Sequence, residues 1–146
     1  MGDIEFIYER IGDDEKDVIL PVPESAGARL SKDFRRAEFT CHCGCGFDTP
    51  DSALVAGLQE LRDALGRMVT INSACRCAQH NKKVGGVPDS QHVYGKAADI
   101  VVQGMSPQDV LRAAEGIDVF ERGGIGVYDT FVHVDVRGKR ARWDNR

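Results

Sequence analysis

The hydrophobic pattern first becomes regular after residue 50. Leu54, Leu58, Leu61 and Leu65 recur at three- and four-residue steps, the period of one buried helical stripe. Thr49 as N-cap and Pro50 at the first position predict where this helix opens, and Gly66 where it stops. Met68 to Asn72 reads as a strand, and Ala78 to Val84 as a short helix ended by Gly85 and Gly86. Ala97 to Val102 reads as a second strand, apolar except at Asp99. Ser106, Pro107, Gln108 and Asp109 resemble a capping box, with Asp in place of the usual Glu, ahead of a helix through Val110, Leu111 and Ala114. Gly124 to Tyr128 and Phe131 to Arg137 predict a closing hairpin. Helices and strands mixed with short connections predict an α+β domain, a small antiparallel sheet with helices packed on one face.

Before that body, residues 1–29 are polar and read as an N-terminal arm with one short strand at Ile4 to Tyr8. Leu30 and Phe34 open the domain, which spans residues 30–146. A length of 146 residues and a hydrophobic share of 42% suit a single domain with a real core. No stretch approaches the run of about 18 apolar residues that a membrane span needs, so no membrane insertion is expected. The acidic start carries no basic segment followed by an apolar one, so no secretory signal is read there. A net charge of −4 argues against nucleic acid as a partner. The basic run from Arg137 to Arg142 reads as a solvated edge.

Chemistry concentrates in two places. His92 is followed seven residues later by Asp99, a carboxylate among Ala98, Ile100, Val101 and Val102 that requires a partner. His133 lies in an alternating strand, so Asp129, Phe131, His133 and Asp135 share a face and Val132, Val134 and Val136 take the other. Two imidazoles and one carboxylate make a tetrahedral zinc site with one position left for water, which is hydrolase chemistry. The same residues also fit a plainer reading: His92 capping a loop, His133 a half-buried histidine, Asp99 paired with an arginine.

The motif Ser-x-His-x-x-Gly-x-Ala-x-Asp is matched by Ser90, His92, Gly95, Ala97 and Asp99, and a later His-x-Asp by His133 and Asp135. With Leu30, Ser31, Glu38, Phe39, Ile71 to Ser73, Arg76, His80, Asn81 and Arg142–Trp143 in the same order, the chain resembles the zinc D-alanyl-D-alanine carboxypeptidase family over most of its length. That family is peptidase family M15, subfamily A, of the LAS metallopeptidases, and shares its fold with the hedgehog signalling domain and with phage L-alanyl-D-glutamate endopeptidases. The resemblance implies a hedgehog/DD-peptidase-like fold, a Zn2+ cofactor held by His92, Asp99 and His133, and hydrolysis of peptidoglycan peptides at the bacterial cell wall. It implies that Arg76 binds a substrate carboxylate or the developing oxyanion. Ser90 and Trp143 are expected along the substrate cleft, and the chain to be a monomer unless it belongs to a phage particle.

The resemblance leaves the proton-transfer group open. Relatives carry a His two residues, or an Asp or Glu three residues, before the last ligand. Here those positions are Phe131 and Thr130. The candidates are Asp135 and Asp129, with Asp135 alternatively a hydrogen-bond partner of a ligand's second nitrogen or a structural contact to Arg137 or Arg142. An L-alanyl-D-glutamate endopeptidase and a zinc-bearing binding module without catalysis are the rival functions. Five cysteines, Cys41, Cys43, Cys45, Cys75 and Cys77, allow thiols or one disulfide, the favoured reading, or a second, structural zinc shared with His42.

Overall fold

The computed structural model describes residues 27–146; the arm strand expected at Ile4 to Tyr8 lies outside them. Leu30 and Phe34, which open the domain, are joined through their backbones. They face each other across a tight turn, with Leu30 N–H donating to the Phe34 carbonyl at 2.8 Å. Phe34 and Phe39 then enter the core edge to face, their ring centroids 6.2 Å apart.

Helix α1 runs Ser52–Leu65 and buries Leu54, Leu58 and Leu61, the expected stripe. Its N-cap is Asp51, two residues after Thr49, and Pro50 precedes the helix. The shift has a tertiary cause. The Asp51 carboxylate accepts from Ala53 N–H at 2.8 Å and from Lys96 Nζ at 2.8 Å, while its own N–H donates to the Gly95 carbonyl. These bonds fix the helix start to the loop entering strand β2. Helices α2 (Ala78–Lys83), α3 (Pro107–Glu115) and α4 (Asp118–Glu121) follow, with Ser106 capping α3 through Asp109 N–H as its pattern predicts.

Five strands form one sheet: β1 (Val69–Ser73), β2 (Ala97–Val102), β3 (Gly124–Tyr128), β4 (Val132–Asp135) and β5 (Ala141–Asn145), in the order β1-β2-β4-β3-β5. All neighbours are antiparallel except β3 and β5, which run parallel. The architecture is α+β, as the sequence pattern predicts, with a mixed rather than purely antiparallel sheet. Ile100, Val102, Ile125, Val132 and Val134 point to one face and share a core with Leu54, Leu58 and Leu61 of α1 and Val110 and Ala114 of α3. The chain reverses after Asp135 through Gly138 and returns as β5, so the expected strand to Arg137 ends early.

The basic segment is not simply solvated. Arg137 pairs with Asp135, Arg140 with Glu121 and Arg142 with Glu115 through two bonds of 2.7 and 2.9 Å. The Arg142 guanidinium holds the Glu115 carboxyl below its ordinary pKa. The Arg140 and Arg142 pairs fasten β5 to the helical layer. Among the described residues no helix is long and apolar enough to cross a membrane.

The register places one row of residues across all five strands. Ser73 is opposite Asp99, Asp99 opposite His133, His133 opposite Gly126, and Gly126 opposite Trp143. Residues directly opposite share a face. The row therefore stands together on the side of the sheet away from the core valines. An irregularity in pairing between Ile71 and Ser73 brings Ser73 into it.

Candidate metal centre and cleft

His92 sits in a 3-10 turn, Gln91–Tyr94, whose first N–H groups need a cap. Ser90 supplies it, its Oγ accepting from His92 N–H at 3.2 Å. Arg76 N–H donates to the His92 carbonyl at 3.1 Å, tying this turn to the segment after β1. The imidazole that results is 2% exposed, and Asp99 and His133 are 8% and 7% exposed, so all three are largely buried.

Hydrogen bonds behind the two imidazoles set their tautomers. Nδ1 of His92 is 2.7 Å from the Ala74 carbonyl oxygen, which can only accept, so Nδ1 carries the hydrogen. Nε2 of His133 is 2.7 Å from Oδ2 of Asp135 and donates to it. The remaining nitrogens, Nε2 of His92 and Nδ1 of His133, lie 3.1 and 3.3 Å from Oδ1 of Asp99. Three acceptors thus converge if both rings are neutral, a costly arrangement in a buried site unless a positive charge lies among them. Ligand atoms about 2.0–2.1 Å from a tetrahedral zinc stand about 3.4 Å apart, so the spacing suits that ion. Three protein donors leave a fourth position open, the pattern of catalytic rather than structural zinc.

The charges agree. Burial alone would raise the Asp99 pKa, but the His133 and His92 rings beside it, which in their protonated form donate to the carboxylate, outweigh it and hold the carboxyl well below its usual range. Burial opposes charge on His133, and its bonds to Asp135 and Asp99 overcome that and raise its pKa. The site favours a cation at this point, a proton or a metal ion.

Asp135 lies behind His133. Its side chain has no accessible surface, and its oxygens accept from Gly124 N–H at 2.8 Å, Arg137 Nη2 at 2.7 Å and His133. Despite burial, the His133 and Arg137 donors hold its pKa well below the carboxylate range. Arg76 is also engaged by its own chain: Nη2 donates to Oδ2 of Asp99 at 3.2 Å, Nη1 to Asn81 at 3.0 Å and Nε to Ser73 at 3.2 Å. The plainer sequence reading, in which Asp99 pairs with an arginine, is therefore present on Oδ2, and Oδ1 remains turned to the two imidazoles, where an ion could sit.

Above these residues opens a cleft of about 780 Å³ that includes Arg76, Ser90, His92, Asp99, His133 and Trp143 in its walls. Trp143 stands with its ring centroid 5.0 Å from that of His133, bonded through Nε1 to the Tyr128 hydroxyl at 3.0 Å. Gly126 makes room for it: a Cβ there would come within 2.2 Å of the indole. Asp129, in the exposed turn between β3 and β4, is not among the cleft-lining residues. Neither is Asp135.

Sequence reasoning did not place Arg137, Phe131, Tyr128 or Asp89 along the cleft, and all four are on its wall. Arg137 follows Asp135 by the same alternation that links Asp135 to His133, a signal present in the sequence. The stacking of Tyr128 on Phe131, centroids 4.4 Å apart, depends on the turn and leaves no sequence pattern.

A family model described as Peptidase M15 matches residues 32–135. The chain belongs to the peptidase M15 family. Members of the M15 family are zinc-dependent metallopeptidases, and the three donors that would bind the ion here fall inside the matched segment. Strand β5 and Trp143 lie beyond it. No curated protein matches this chain.

Proposed function

We propose that this M15 peptidase hydrolyses peptide bonds in the stem peptides or cross-links of bacterial peptidoglycan, as a D-alanyl-D-alanine carboxypeptidase or endopeptidase. The observation that carries the reading is the convergence of His92, Asp99 and His133 at the floor of an open cleft, each imidazole fixed by an acceptor behind it. Zinc bound by these residues would polarise a peptide carbonyl and bring the pKa of a coordinated water to about 7.

The protein's own groups divide the remaining work. Ala74 and Asp135 keep the hydrogens of His92 and His133 turned away from the metal position. Asp135 is assigned this positioning role rather than that of base, because its oxygens are already occupied and shielded from the cleft. Arg76 steadies Asp99 and presents the rest of its guanidinium to the cleft, where Arg137 adds a second positive group. Both suit the carboxylates of stem peptides. Trp143 and the Tyr128–Phe131 stack offer an apolar wall to the methyl groups of alanine residues. Asp89 is the carboxylate, besides Asp99, among the cleft-lining residues, and is assigned the proton transfer to the leaving amine.

The test is digestion of purified peptidoglycan sacculi of several chemotypes with the zinc-loaded protein, followed by mass analysis of the fragments. Loss of terminal D-alanine or opening of cross-links supports the reading. Cleavage between L-alanine and D-glutamate would replace it with the endopeptidase of that bond. No cleavage of any chemotype, with binding retained, would make the domain a zinc-bearing binding module.

A further inference from the structure

Four of the five cysteines meet at one point away from the cleft. Cys41, Cys43 and Cys45 lie in the loop that follows the 3-10 helix Arg36–Phe39, and Cys77 is the N-cap of α2. Their Sγ atoms all lie within 4.8 Å of one another. Cys43 Sγ is 3.4 Å from Cys41 Sγ and 3.5 Å from Cys77 Sγ, so no one pair is singled out for bonding. A disulfide draws two sulfurs to about 2.05 Å and leaves the others apart. Four thiolates at about 2.3 Å from a tetrahedral zinc stand about 3.8 Å from each other, which is the kind of cluster found here.

The backbone around the cluster is arranged for sulfur acceptors. Cys77 N–H points to Cys41 Sγ and His80 N–H to Cys77 Sγ, each at 3.4 Å. Such donors favour thiolate over thiol. The loop closes tightly through Cys41 N–H to the Phe47 carbonyl and Gly44 N–H to the Cys41 carbonyl. Gly44 and Gly46, at φ 84° and 93°, take the left-handed conformations that let three alternate residues turn inward together. Cys75 is outside the group, buried in the hydrophobic core.

We propose that Cys41, Cys43, Cys45 and Cys77 bind a second zinc ion, structural in role. Four thiolates close the coordination sphere and leave no position for substrate. The ion clamps the loop to the first turn of α2. Cys77 is the residue after Arg76, whose guanidinium reaches Asp99 at 3.2 Å, so the clamp also fixes the placement of the cleft arginine.

The experiment is metal and thiol counting on the full chain, purified under reducing conditions without chelator and dialysed against metal-free buffer. Two zinc ions per chain and five titratable thiols after unfolding are expected. The double variant Cys43→Ser/Cys45→Ser, at two exposed positions, should retain one zinc, and His92→Ala/Asp99→Ala should retain the other. Failure of either site is therefore visible separately. As a measurement free of variants, replacement of zinc by cobalt in the wild-type protein should give an intense thiolate-to-cobalt charge-transfer band. Absence of that band in cobalt-loaded protein overturns the proposal. So do fewer than five thiols alongside a single zinc, which would mean a disulfide. A zinc content that falls to none in His92→Ala/Asp99→Ala would overturn it as well.

Discussion

Oδ2 of Asp135 is 2.7 Å from Nε2 of His133, and the nitrogen on the other side of that ring faces Asp99. The carboxylate decides which nitrogen of His133 is free to bind a metal. An amide at this position would turn its oxygen to the Gly124 and Arg137 N–H donors that surround Oδ1. Its NH2 would then face Nε2 and drive the ring hydrogen onto Nδ1. Asp135→Asn is expected to weaken zinc binding by about 10–100-fold, the usual cost of a lost partner behind a ligand. Competition with a chromogenic chelator measures this. Wild-type zinc affinity together with a loss of hydrolysis would instead mark Asp135 as the proton-transfer group.

Asp89 and Asp129 make a second comparison. Asp89 lines the cleft, whereas Asp129 sits in the turn beyond it. Asp89→Asn should keep its zinc and lose about 10²-fold or more in hydrolysis, the scale of a missing acid–base group. Asp129→Asn should remain close to wild type. The reverse ranking, read from initial rates on soluble cross-linked muropeptides, would move the proton transfer to the turn.

Trp143 is the single tryptophan of the chain and stands beside His133. Its fluorescence should therefore change when zinc is added to metal-free protein. Gly126→Ala would place a methyl carbon 2.2 Å from the indole and force the ring or the strand to move. Overpacking of this kind costs about 1–3 kcal/mol. The variant should melt at lower temperature, and its emission should no longer report zinc. An unchanged melt with an intact zinc response would show that the indole is held less firmly than the contacts imply.

Asp51 links the start of α1 to Lys96. Lys96 and the Ala53 N–H lower its pKa in the folded chain. A carboxyl depressed on folding stabilises fully above its unfolded pKa of about 3.9, and that contribution fades as pH falls through the folded value. Asp51→Ala should cost about 1 kcal/mol near neutral pH, mostly through the lost cap, since the ion pair is partly exposed. The gap between variant and wild type in urea melts should narrow below about pH 4. A gap that persists undiminished at pH 2 would show that the carboxylate's charge is not what matters.

Much of this molecule is visible in local sequence period. The leucines of α1 and the alternation through β4 each predict an element and its buried face, and Asp99 stands out because a carboxylate in an apolar strand needs a partner. What escapes is set by distant partners. Strand β5 is Ala-Arg-Trp-Asp-Asn, with little apolar pattern, and exists because it pairs in parallel with β3 and is pinned by Glu115 and Glu121. The start of α1 moves from Thr49 to Asp51 for bonds to residues more than forty positions away. Parity puts Asp135 on the face of His133 but is silent on what lies against it, and Gly124 and Arg137 decide its surroundings.

The row from Ser73 to Trp143 makes the centre depend on the phase of five strands at once. Because side chains alternate, inserting or deleting one residue within a strand turns its contribution to the wrong side of the sheet. Substitutions can be explored singly along this row, but length changes inside it cannot. The segments 84–90 and 129–131 stand outside the row, the first lining the cleft and the second reaching it through Phe131. Evolution can lengthen or shorten them without disturbing the phase, which makes those two segments the places where descendants of this domain would acquire new substrate preferences.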